Sequence, residues 1–268
     1  MIMTYILMVI FLKIILFKKK TFFIFSLVLL FITLNFIYYS ISSPSSITCN
    51  TSETLELEDK IKNIYNGNEK IAYLTFDDGP SPSVTPKILD ILKEENIKAS
   101  FFVIGKKVKE HPEIVKRAYE EGHYIANHTY SHNNSLLYKD SNSFISEIKT
   151  TDLAIGSAIG VDNYSSHIFR FPNGFMSKIY KSQKEKYVKL LPELDYTYID
   201  WNALNNDSEQ KYTHNQLLNN LKNSTKNKST LVILMHDSND VNDSSTVLKE
   251  SIDYLKKEGY EFRNFYNL

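Results

Sequence analysis

Two adjacent acids, Asp77 and Asp78, stand where an apolar run ends in "AYLTFDDGP". Neighbouring carboxylates repel each other, so holding both at one strand end calls for a cation or a division of labour. Successive side chains of an extended strand point opposite ways, so the two acids need not share a task. One can bind a metal ion; the other, close by, can take the proton of an attacking water. Alone, "DDGP" also fits a strand-to-helix turn with a helix cap. Further on, "HTYSH" sets His128 and His132 four residues apart, so a helical turn or a compact loop brings both rings to one side. By itself this pair also fits two polar histidines in a loop. With an acid from a nearby strand end it becomes an N,N,O donor set with positions left open. That is the pattern of a catalytic divalent metal, most often zinc, with cobalt or another divalent ion possible.

Such residues need a frame that delivers them to one place. From about residue 69 onward, short β-branched and aromatic runs alternate with longer amphipathic segments. The strand candidates are "IAYLTF", "ASFFVIG", "HYIAN", "HIFRF", "YTYID", "TLVILM" and "YEFRNF". Helical stretches such as "TPKILDILKEE", "HPEIVKRAYEEG" and "STVLKESIDYLKKEG" separate them. The alternation predicts parallel strands joined by right-handed crossovers, closing into a barrel or lying in an open doubly wound sheet. No Gly-x-Gly-x-x-Gly or phosphate loop follows the first strand, which argues against a nucleotide site. Asp77, Asp78, His128, His132, Arg170, Asp207, His236 and Asp237 all fall after strand candidates, at the C-terminal ends where a parallel βα barrel keeps its active site.

The bulk properties are consistent with one sizeable core: 268 residues, 43% hydrophobic, formal net charge zero. That balance offers no basic face for nucleic acid. The single cysteine, Cys49, excludes an intrachain disulfide. Thr21–Tyr39, "TFFIFSLVLLFITLNFIYY", is uncharged and follows Lys18, Lys19 and Lys20. At ~1.5 Å per residue it is long enough to cross a hydrocarbon core of ~30 Å, with the lysines inside. The expected organisation is an N-terminal membrane anchor or signal region over 1–40, a polar linker over 41–68 with a short helix around Leu55–Tyr65, and a catalytic domain over 69–268. The expected location is the cell membrane, single-pass with the domain extracytoplasmic, or secreted if the segment is cleaved.

"TFDDGP", "HTYSH", "RFPNG" and "ILMHD", in this order, resemble the motifs of the polysaccharide deacetylases, carbohydrate esterase family 4. The first two, about fifty residues apart, are the specific part of the likeness. The resemblance covers about residues 70–268 and implies an α/β fold: a distorted (β/α) barrel of about seven parallel strands. It implies metal-dependent removal of N- or O-acetyl groups from an acetylated polysaccharide; a monomer is the expected state. It further implies Asp77 as catalytic base, Asp78, His128 and His132 as metal ligands, and Arg170 as the arginine that holds the base. Asn173 would give a backbone N–H to the oxyanion, His236 would be the general acid, and Asp207 the acid that orients it. Ser208 follows Asp207 where many members have tryptophan, and Asn173 replaces an aromatic, so the groove wall departs from the family. Trp201 fits either a sugar platform or a core residue.

With an anchor, the expected substrate is cell-wall glycan, the N-acetylglucosamine of peptidoglycan foremost. An esterase acting on O-acetylated xylan is the alternative within the enzyme class. A non-catalytic carbohydrate-binding envelope protein is the alternative outside it, but decay should remove a ligand or the base first, and all are present.

Overall fold

The structure is a computed structural model that describes residues 51–239 and 241–268. It opens with helix α1 (Thr51–Asn66), followed by β1 (Ile71–Asp77), α2 (Thr85–Glu94), β2 (Ser100–Val103), α3 (Gly105–Glu110), α4 (Pro112–Glu120) and β3 (Tyr124–Asn127). Next come α5 (Asn134–Leu137), α6 (Ser141–Ile159), β4 (Ile168–Phe169), α7 (Lys181–Tyr187), β5 (Thr197–Tyr198) and β6 (Ala203–Leu204). The chain ends with α8 (His214–Ser224), β7 (Thr230–His236), α9 (Ser245–Lys257) and β8 (Glu261–Arg263).

Local sequence explains the helices. Pro86 and Pro112 stand in the first turns of α2 and α4, where the missing N–H is no loss. Asp140 caps the start of α6 by accepting from Ser143 N–H, and Gly160, at φ +74°, ends it. Thr213 and Gln216 form a capping box on α8. Helix α2 buries Thr85, Ile88, Leu89 and Leu92, a stripe at helical spacing laid on the sheet.

All strand pairings are parallel, in the order β5-β4-β3-β2-β1-β7-β6, with β8 on β1. The expected α/β frame of about seven parallel strands is present, as eight strands among the described residues, but the expected barrel is not closed: the sheet stays open. The additional strand is β6, two residues that sequence pattern alone does not mark. The edges β5 and β6 are neighbours in the chain but do not pair. Helix α1 packs against β5 and β7 and sends Ile61 and Ile64 into the same cluster as Tyr73, Phe102, Val232 and Phe265. The helix expected around Leu55–Tyr65 is therefore part of the core.

The expected membrane span, membrane partner and membrane location are corrected as well. Among the described residues no helix is long and apolar enough to cross a membrane. Helix α1, at 16 residues, reaches only roughly 24 Å, and it carries Glu56, Glu58, Asp59, Lys60 and Lys62. The segment Thr21–Tyr39 lies outside the described residues.

Strand β1 shows how the sheet sorts its side chains. Ala72, Leu74 and Phe76 join the cluster beneath the helices, while Ile71 and Tyr73 join the inner one. Thr75 and Asp77 share the parity of Ile71 and both contact Arg170. Asp77 thus points inward from the last residue of the strand, and Asp78 is the first residue beyond it.

Candidate active site

The strand ends converge as the sequence pattern predicts. Asp78 leaves β1 with φ +72°, a left-handed conformation uncommon for a non-glycine residue, and it turns its carboxylate away from the strand. His128 directly follows β3, and His132 lies in the loop before α5 at φ +52°. Asp78 Oδ1 is 3.4 Å from His128 Nε2 and 3.3 Å from His132 Nε2. One donor atom from each of the three residues lies within 4.8 Å of the others.

These residues fit a divalent metal. Asp78 Oδ1 is buried without a hydrogen-bond partner, a costly state that a cation between the three side chains would relieve. His128 Nδ1–H donates to the Arg170 carbonyl oxygen (2.8 Å), which leaves the Nε2 lone pair facing the cluster. Burial alone would raise the Asp78 carboxyl, but the adjoining His128, with the charges of His132 and His236, holds it well below the usual range.

A buried ion pair stands on one flank. Arg170, which follows β4, is fully buried; its Nη1 donates to Asp77 Oδ1 at 2.7 Å and to Thr75 Oγ1 at 2.8 Å. Its Nε donates to the Ile199 carbonyl (3.0 Å), and its guanidinium lies over the Phe102 ring at 3.9 Å. Asp77 Oδ2 faces the cluster, 3.9 Å from His128 Nε2.

The opposite flank carries a second buried pair. His236, the last residue of β7, donates through Nδ1–H to Asp207 Oδ1 at 2.7 Å, while its Nε2 lies 4.0 Å from Asp78 Oδ2. Asp207 Oδ2 also accepts from the His236 backbone N–H (2.8 Å) and from the Ser244 hydroxyl. Burial would lower the His236 pKa, but Asp207, with the charges of Asp77 and Asp78, pushes it up to about 9. Asp207 was expected after the fifth strand; it follows β6 instead.

Asn173 is in the turn after Arg170, where Gly174 N–H donates to Phe171 O at 2.8 Å. Pro172 and Asn173 (φ +66°) are the two corner residues of a type II turn, in which the third position favours Gly or Asn. Asn173 Oδ1 accepts from Asn134 Nδ2 (3.2 Å). Trp201 packs its ring against Gly174, where an added Cβ would lie 2.7 Å from it.

Sequence reading missed Glu147. Its Oε2 accepts from the N–H groups of Tyr130 (2.9 Å) and Ser131 (2.8 Å), and its Oε1 from the Ser131 hydroxyl (2.8 Å). A carboxylate on α6 thus ties down the loop between the two histidines. Ser244 and Lys107, whose Nζ donates to the Asp78 carbonyl at 2.8 Å, were missed too. None has a fixed spacing from the strand-end motifs, so no local signal marks them.

Comparison with known proteins agrees with this geometry. Residues 65–198 match the polysaccharide deacetylase family. The chain is 32% identical over 249 residues, covering 86% of each, to a peptidoglycan-N-acetylglucosamine deacetylase of Bacillus cereus. Among solved structures, a Streptococcus mutans CE4 esterase superposes with TM-score 0.68 at 31% identity, over 77% of this chain and 90% of that one. The catalytic domain of a peptidoglycan N-acetylglucosamine deacetylase from Eubacterium rectale gives 0.66 at 27% identity, over 73% and 88%.

Proposed function

The chain belongs to the polysaccharide deacetylase family, and from that premise we propose that it hydrolyses the acetamide of N-acetylglucosamine in peptidoglycan, with a divalent metal held by Asp78, His128 and His132. The observation that carries this reading is the Asp–His–His cluster flanked on one side by Arg170–Asp77 and on the other by Asp207–His236. The similarity to peptidoglycan-N-acetylglucosamine deacetylases supports the choice of substrate. In this reading residues 69–268 supply the chemistry.

When bound, the metal supplies Lewis-acid polarisation of the acetyl carbonyl and of the attacking water. The residues of the chain do the rest. Asp77 has one oxygen committed to Arg170, so its other oxygen, facing the cluster, takes the proton as water attacks the carbonyl carbon. The Asn173 N–H, which lies outside its own turn's hydrogen bond, is available to the oxygen on which negative charge develops. His236, kept protonated by Asp207, gives its Nε2 proton to the glucosamine nitrogen as the carbon–nitrogen bond breaks. Acetate and a free amine on the glycan result.

The test is acetate release by the full chain from peptidoglycan, chitooligosaccharides and acetylxylan, before and after treatment with a chelator. Release from the N-acetylated substrates, abolished by chelation and restored by a divalent ion, is the expected result. Release from acetylxylan alone would assign the chain to O-acetyl ester chemistry instead.

A further inference from the structure

Two charges of opposite sign, the half-buried Asp200 and the buried Lys184, hold the loop that carries Asn173 from two sides. Asp200 accepts the N–H of Phe175 at Oδ1 (2.8 Å) and that of Met176 at Oδ2 (3.0 Å). Lys184, on α7, is fully buried and donates its Nζ to the carbonyls of Gly174 (2.5 Å) and Ser177 (2.8 Å). Each charge is spent on backbone groups just downstream of the turn. Burying an ammonium group costs free energy that closing a short loop does not require, since water can satisfy such groups at a surface. What these residues add is a fixed position for the turn.

The other end of Asp200 shows what the turn is fixed against. The Asp200 carbonyl oxygen accepts from Arg170 Nη2 (3.3 Å) and from the Tyr65 hydroxyl of α1 (3.1 Å), and Arg170 Nη1 holds Asp77. One residue therefore links the Arg170–Asp77 pair, through its backbone, to the Asn173 loop, through its side chain. We propose that Asp200 and Lys184 are positioning residues that set the Asn173 N–H at a defined place relative to Asp77. This rests on the reading above, in which that N–H serves the oxyanion. A donor aimed at developing charge loses most of its effect when displaced by a fraction of an ångström, whereas substrate binding elsewhere in the groove is unaffected.

The chain carries its own reporter. Trp201 is its single tryptophan, adjoins Asp200, and packs on Gly174 of the turn. The experiment uses the full chain loaded with zinc and its Asp200→Ala, Asp200→Asn and Lys184→Met variants. Metal content, Trp201 emission, melting temperature, and kcat and KM for acetate release from a chitooligosaccharide are measured. In Asp200→Ala, kcat should fall about 10–100-fold with KM held within about twofold, because only transition-state contact is lost. Metal content should be unchanged and Trp201 emission shifted. Asp200→Asn keeps one acceptor oxygen and should recover part of kcat, and Lys184→Met should follow Asp200→Ala. A lowered melting temperature with full kcat in Asp200→Ala or Asp200→Asn would overturn the proposal and leave a structural role only. Asp77→Asn run beside them separates the two readings. If it keeps its turnover, the assigned mechanism is wrong; if it is inactive while Asp200→Ala keeps full kcat, only the positioning role is wrong.

Discussion

The two flanks of the Asp78–His128–His132 cluster are built alike and charged oppositely. On one, a carboxylate that faces the cluster is held from behind by a guanidinium; on the other, an imidazole that faces it is held from behind by a carboxylate. Both partners are buried: Arg170 is 0% exposed and Asp207 2%. In a poorly screened interior the sign of the partner decides which protonation state its neighbour keeps. Arg170 donates to one oxygen of Asp77 and leaves the other facing the cluster. Asp207 favours the imidazolium, so His236 is kept as a donor. In the proposed mechanism Asp77 and His236 are the base and the acid, and they stand on opposite sides of one small site, each with a partner of opposite sign.

The largest expected effect comes from removing the acceptor on the first flank. Asp77→Asn should retain bound metal and lose about 10²–10⁴-fold or more in turnover, since an amide cannot take the proton. Metal analysis beside acetate release checks this. Equal metal loss in Asp77→Asn and Asp78→Asn would make both acids ligands and erase the asymmetry between the flanks.

Next in size is the donor flank, where the leaving group sharpens the comparison. His236→Ala should keep its metal and lose about 10²–10⁴-fold on an N-acetyl substrate, whose amine must be protonated to leave. On an activated aryl acetate, which leaves without a proton, the loss should be much smaller. Equal losses on both substrates would show that His236 is not the acid.

Weakening the partner instead of the active group should cost less. Asp207→Asn keeps the shape but removes the charge behind His236, and a hydrogen bond to a charged group is worth about 1.5–3 kcal/mol, or roughly 10–150-fold in rate. Steady-state rates on the N-acetyl substrate measure it. A loss as large as that of His236→Ala would mean that Asp207 does more than orient and charge the ring.

Asp152 provides the contrast of a buried carboxylate with no cationic partner in the hydrogen bonds it makes. It accepts from the Tyr196 hydroxyl (2.6 Å) and from Asn127 Nδ2 (3.0 Å), and burial, which these only partly offset, pushes its pKa up to about 6. A carboxyl raised in the folded state contributes stability that is complete below its ordinary pKa and lost as pH rises through the folded value. Between about pH 4 and 6 the wild type should therefore lose up to about 2–3 kcal/mol that Asp152→Asn does not lose. Urea denaturation of both proteins at pH 4 and 7 checks the difference. Parallel curves would show that Asp152 titrates as it does in the unfolded chain.

Much of the site was legible because its chemistry sits at strand ends. Asp77 and His236 end strands, and Asp78 and His128 directly follow strands, that the alternating apolar pattern marks, and a parallel sheet brings such ends together whatever its exact curvature. Positions supported by long-range contacts were not legible. Glu147 and Ser244 act on loops from distant helices, and β6 is a strand only because Ala203 and Leu204 pair with Ile233 and Leu234 of β7.

By itself, the sequence determined the donor types, the order of the motifs and the parallel frame, because those depend on residue identity and local period. It also determined that Asn, not an aromatic, occupies the left-handed corner of the Phe171–Gly174 turn. Only the tertiary structure decided that β5 and β6 do not pair, and that a helix rich in charged residues adds Ile61 and Ile64 to the inner cluster beside β5 and β7. It also decided which acid faces inward. Asp77 shares the parity of Ile71 and Tyr73 and meets Arg170, whereas Asp78, one residue beyond the strand, is turned by its left-handed backbone toward the two histidines.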